Sequence, residues 1–292
     1  MKKISFLYII IAGILWGTSG IFVNFLAPYG FTSLHLTALR GTVSFVGVLI
    51  FILLKDPKLL KAGWADILLF IGSGIALFAT ASSYYSCLQI TSISTAVMLM
   101  YTSPVIVMLV SVLFLGERLN KFKLISIVFM VLGCALVSGV IGGMKFDAFG
   151  IMLGILSSIA YSAYNILAKI EMMRKSSPVT ATFYCFVTVM IIALSVSKPA
   201  NIIEFTAKAP LIIIPIIIGL GVCTFIIPYA LYTIALKNIP AGTASALSIV
   251  EPMAATVFSI VIFKDVPTVY SAIGIALIII AVFLLSRTEK QS

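Results

Sequence analysis

Runs of about twenty apolar residues, broken by short polar stretches, follow one another along the whole chain. An α-helix rises about 1.5 Å per residue, so each run matches the ~30 Å hydrocarbon layer of a bilayer. Ten runs predict ten transmembrane helices, at 4–26, 33–54, 65–87, 92–115, 121–140, 148–169, 178–197, 209–235, 241–263 and 267–286. A transmembrane β-barrel would instead show alternating segments of about ten residues. The fold expected is therefore an all-α integral membrane protein. The connections are short. The longest, between spans seven and eight, holds Lys198, Pro199, Glu204 and Lys208. Lys2-Lys3 ahead of an apolar run resembles a signal peptide, but the run continues to Leu26 with no small-residue cleavage site. It reads as the first membrane helix.

Composition agrees. Of 292 residues, 62% are hydrophobic and 10% charged, against about 25% charged in soluble domains; mean hydropathy is +1.23. A net charge of +10 would suit nucleic acid, but its distribution does not. Fourteen Lys and Arg fall in loops on the side of the N-terminus and four on the other side, with Arg40 inside a span. That asymmetry is the positive-inside rule, and it predicts a cell (plasma) membrane protein with both termini cytoplasmic. Cys87, Cys134, Cys185 and Cys223 lie in or beside apolar spans without metal-type spacing, and read as packing residues.

The chain repeats itself. Gly13, Gly17, Gly20 and Asn24 in span one match Gly154, Ser158, Tyr161 and Asn165 in span six at one offset. Spacings of four, three and four put each set on one helical face. Gly72–Gly74 and Tyr84 in span three match Gly219–Gly221 and Tyr232 in span eight. Thr95–Glu117 runs parallel to Thr243–Asp265, aligning Pro104 with Pro252 and Ser103 with Glu251. Two five-span units result, 1–140 and 148–286, with a short cytoplasmic tail at 287–292. Five is odd, so the second unit enters the membrane upside down. Inverted repeats mark alternating-access transporters with a site near the midplane.

On Gly13-x-x-Trp16-Gly17, Leu39-Arg40, Ser103-Pro104, Leu115-Gly116-Glu117-Arg118-Leu119 and Glu251-Pro252, the chain resembles the EamA type of the drug/metabolite transporter superfamily over about residues 5–286. The resemblance implies ten helices, cytoplasmic termini, a central cavity lined by both halves, and secondary transport of small metabolites or drugs, often export. Phe263-Lys264-Asp265-Val266-Pro267 departs from the pattern at the outer end of span nine.

Glu251 is the acid placed mid-span, about 15 Å into span nine. An ionisable group there costs a few kcal/mol unless it faces protein or water. It serves either proton exchange or a cationic substrate, or it is a protonated carboxyl bonded across helices. Pro252 frees a backbone carbonyl beside it. Pro104 and Pro228 are further expected breaks. Arg40 can bind an anionic group, pair with Glu251, or serve structure alone. His35, the lone histidine, is expected at the surface. Trp16, Tyr84, Tyr101, Tyr161 and Tyr232 form a candidate aromatic lining, or ordinary packing taken singly. Asn24, Asn165 and Ser103 join the candidates as hydrogen-bonding groups. No metal or cofactor is expected, and a monomer or homodimer suffices.

A secondary transporter is the leading reading, coupled to protons or working by exchange, with amines, amino acids or aromatic metabolites as candidate cargo. An uncoupled facilitator of a small polar solute is the alternative. An intramembrane enzyme would need paired acids or several histidines, and a channel a continuous polar pore; the chain offers neither.

Overall fold

The computed structural model describes residues 2–91, 93–117, 120–137, 147–264, 266 and 268–288. Arg118-Leu119, the expected end of span five at 138–140, Asp265, Pro267 and tail residues 289–292 lie outside the described residues. Within them every regular element is helical, as a lipid-facing backbone must be to satisfy its own N–H and C=O groups. The helices are α1 (Lys2–Gly17), α2 (Ser19–Leu26), α3 (Ser33–Lys55), α4 (Trp64–Ile90), α5 (Ile93–Met100), α6 (Ser103–Phe114), α7 (Lys121–Val137), α8 (Ala148–Met173), α9 (Pro178–Val196), α10 (Pro199–Ala207), α11 (Pro210–Gly221), α12 (Ile227–Leu236), α13 (Ala241–Leu247), α14 (Val250–Phe258) and α15 (Val269–Thr288). Eight continuous or broken helical stretches are long and apolar enough to cross a membrane. Lys121–Val137 is shorter among the described residues, and so is the apolar stretch Val269–Leu285.

Packing is the same when the two parts of the chain are exchanged. α1 packs on α12 and α14, while α8 packs on α4, α5 and α6. α3 packs on α9, α6 on α13 and α7 on α15. Small residues permit the close crossings. A Cβ on Gly17 would lie 2.8 Å from the Ala254 Cβ and 2.9 Å from the Ala255 nitrogen. A Cβ on Gly133 would lie 2.8 Å from the Gly274 carbonyl oxygen.

Cross-contacts define two ends. Ser5–Asn238, Asp66–Arg174 and Glu117–Ala241 gather at one. The Lys208 ammonium donates to the Tyr29 carbonyl at the other. Here α10 turns the long connection into a helix that lays Phe205 against Phe31 and His35. His35 is consequently buried, at 5% exposure, which corrects the expectation of a surface histidine. Its Nδ1 accepts from the Thr32 N–H and completes the cap of α3.

Candidate functional site

Four spans break where they meet. Span one is interrupted at Thr18 between α1 and α2, where the Ser19 hydroxyl bonds the Trp16 carbonyl. Span four breaks at Tyr101-Thr102, with Pro104 opening α6. Span nine breaks at Ser248-Ile249, with Glu251 and Pro252 opening α14. Span eight carries a π-turn over Val222–Ile226, just ahead of Pro228. A proline lacks the N–H that continues a helix, and irregular backbone at membrane depth is tolerated where it lines a cavity.

Such a cavity lies there, about 540 Å³ in volume. Its wall includes Trp16, Asn24, Arg40, Tyr84, Tyr101, Tyr161, Glu251 and Pro252, eight candidates from the sequence brought to one space. The lining residues occupy the parts of their helices nearer the Tyr29 end, and Gly20 and Asn24 on α2 are exposed there.

Charge and ring geometry are specific. The Arg40 Nη2 donates to the Tyr85 hydroxyl at 3.1 Å and to Thr37 Oγ1 at 3.4 Å, and the guanidinium carbon stands 5.1 Å from the Phe225 ring centroid. Its Nε–H is buried without a partner, and so is the indole N–H of Trp16. The Glu251 carboxyl lines the same cavity as Tyr101 and Arg40. Trp16 meets Tyr229 edge-on at 5.1 Å, and Tyr229 meets Phe225 at 5.1 Å and Tyr164 at 5.5 Å. One wall is therefore a locked aromatic cluster, and Arg40 and Glu251 line the same space.

The EamA-like transporter family matches this chain twice, over residues 3–139 and 148–287. The chain belongs to that family. An uncharacterized transporter of Archaeoglobus fulgidus is 29% identical, covering 96% of this chain and 95% of its own. The uncharacterized transporter YwfM of Bacillus subtilis is 23% identical over 98% of this chain and 94% of its own length. A crystal structure at 19% identity superposes with a TM-score of 0.79, covering 98% of each chain, and shares the fold.

In this EamA-like chain other candidates lie behind the wall. Asn165 and Tyr232 are fully buried; the Tyr232 hydroxyl donates to Asn165 Oδ1, and Asn165 Nδ2 donates to the Tyr161 carbonyl at 2.6 Å. They brace Tyr161 instead of facing the cavity. Ser103 is fully buried at the head of α6, and Pro104 and Pro228 also stand outside the lining.

Tyr85, Phe225 and Tyr229 line the cavity without having been singled out by sequence. Tyr229 follows the breaking Pro228, a signal present but ambiguous beside Tyr232 one turn away. Glu171 was missed because span six was ended at Lys169. The helix continues to Met173, Glu171 is buried, and the Ser73 hydroxyl donates to it at 2.5 Å. Lys169 donates to the Leu236 and Ile239 carbonyls at 2.7 and 2.9 Å, which keeps its charge satisfied inside the bundle.

Proposed function

We propose that this chain is a secondary transporter that carries a small metabolite or drug through the central cavity by alternating access. Ten spans in two inverted five-span units, 1–140 and 148–286, are the architecture this reading assumes, and the exchange symmetry of the packing supports it. The loop charges put the Ser5 end in the cytoplasm. The cavity then opens to the outside, and the cross-contacts at the Ser5 end are the closed inner gate.

The observation that carries the reading is Glu251 at the break of span nine, facing a cavity that also holds Arg40. A carboxylate and a guanidinium before an aromatic wall suit a zwitterion or an amine with a ring, since each charge finds its opposite and the ring finds a flat face. Glu251 also supplies a group able to trade a proton for a cationic substrate, so coupling is to protons or to exchange.

Ligand-dependent thermal stabilisation of the purified protein tests this, because binding to the folded state alone raises its stability. A panel of amines, amino acids, nucleosides and cationic drugs is expected to give hits that vanish in both Glu251→Gln and Arg40→Gln. Hits that survive both substitutions would contradict recognition by these residues.

A further inference from the structure

Below the cavity the molecule is closed by α6 and α13, one from each half, packed face to face. They are close: a Cβ on Gly242 would lie 3.2 Å from the Met108 Cα. Small side chains serve such packing, with any hydroxyl bonded across the helices. Instead six serine hydroxyls among the described residues are buried without a partner, and three of them, Ser103, Ser111 and Ser245, belong to these two helices. All three residues are fully buried. A buried hydroxyl with no hydrogen bond is expensive, and water would satisfy it.

The bottom of this seam is held by Glu117. Its Oε1 accepts from the Ala241 N–H at 2.5 Å and its Oε2 from the Gly242 N–H at 3.4 Å, so a carboxylate of the first half clasps the first turn of α13 in the second. Lys123 stands 3.5 Å from Oε2, and both side chains are under 10% exposed. The Asp66–Arg174 bridge at the same end is much more exposed, and exposed pairs hold little.

We propose that the seam between α6 and α13 is the inner half of the transport path, lined by Ser103, Ser111 and Ser245, and that Glu117 is the latch that keeps it shut. The proposal rests on the alternating-access reading. The arrangement suits a latch that opens. Glu117 and Lys123 belong to the same half, so parting α13 from α6 releases the backbone N–H groups to water and leaves the carboxylate with its cation. A charge pair split across the seam would strand a buried ion at every cycle.

The test uses the full chain with Cys87, Cys134, Cys185 and Cys223 replaced by alanine. Ser245→Cys and Asn24→Cys are probed separately with a membrane-impermeant trimethylammonium thiosulfonate, in right-side-out and inside-out vesicles. Asn24→Cys is expected to react from outside only. Ser245→Cys is expected to react from the cytoplasmic side only, about tenfold faster with Glu117→Gln, the shift that follows when one charge-assisted hydrogen bond stops favouring the closed state. A cysteine at 245 inert from both sides, with and without Glu117→Gln, overturns the seam while leaving one-sided access at position 24 intact. Failure of position 24 to react from outside overturns the outward-open cavity on which the proposal rests. Met108→Cys with Gly242→Cys gives an independent arm, because the position 242 Cβ lies 3.4 Å from the Met108 Cβ, near the separation a disulfide spans. With that pair oxidised, the thiol at 245 must stop reacting; continued labelling contradicts the proposal.

Discussion

At the residue scale, Arg40 and Glu251 line the cavity, and the polar groups Asn165 and Tyr232 behind the wall do not. Arg40 is held by Tyr85, Thr37 and Phe225, contacts a lysine cannot reproduce because it lacks the planar fork. Arg40→Lys is expected to abolish ligand stabilisation while leaving the unliganded melting temperature within a few degrees; a retained ligand shift would contradict the role. Asn165→Ala should behave in the opposite way. It strands the buried Tyr232 hydroxyl, a loss of about 1–3 kcal/mol, and a detergent melting curve should show the drop. Ligand affinity measured on the folded fraction should fall far less than in Arg40→Lys, since Asn165 reaches the cavity only through Tyr161.

Much of this site was legible because charge is rare in these spans. Glu251 and Arg40 stood out against apolar neighbours, and Trp16, Tyr84, Tyr101 and Tyr161 stood beside small residues. Which side of a helix a tyrosine takes was not legible: Tyr229 and Tyr232 sit one turn apart, and only packing decides that the first reaches the cavity. Glu171 and His35 escaped for another reason. Both lie at helix ends, where burial depends on what the facing half places over them, Ser73 in one case and Phe205 in the other.

At the element scale, the apolar runs located the spans to within a turn at most ends, since a helix is the economical spanning structure available to such a run. The breaks within spans were half visible. Pro104, Pro228 and Pro252 announced three of them; the interruption at Thr18 carries no proline and depends on hydroxyls bonding the preceding turn, Thr18 Oγ1 to the Leu15 carbonyl at 2.6 Å. Gly17 is where α1 touches α14 close to Glu251. Gly17→Val must push α14 outward, and overpacking of this kind costs about 1–3 kcal/mol. It is expected to lower transport by more than it lowers the amount of protein in the membrane, as read by uptake normalised to immunoblot. Normal uptake per molecule would mean that the α1–α14 crossing does not set the position of Glu251.

At the scale of the whole molecule, two matching units face each other across one cavity, with polar cross-contacts concentrated at one end. The repeat offsets in the sequence anticipated which helices correspond. They could not say which end is closed, because that depends on the state adopted and not on the pattern of residues. The central claim is that Glu251 couples substrate movement to a second flux through this cavity. The direct measurement is internal pH in proteoliposomes loaded with a pH dye, on addition of a ligand found by thermal stabilisation, for wild type and Glu251→Gln. The account predicts substrate-driven proton movement in wild type and none in the variant. Equal tracer uptake by both proteins, without proton movement in either, would contradict it and leave a facilitator or an exchanger in which Glu251 only supports the fold.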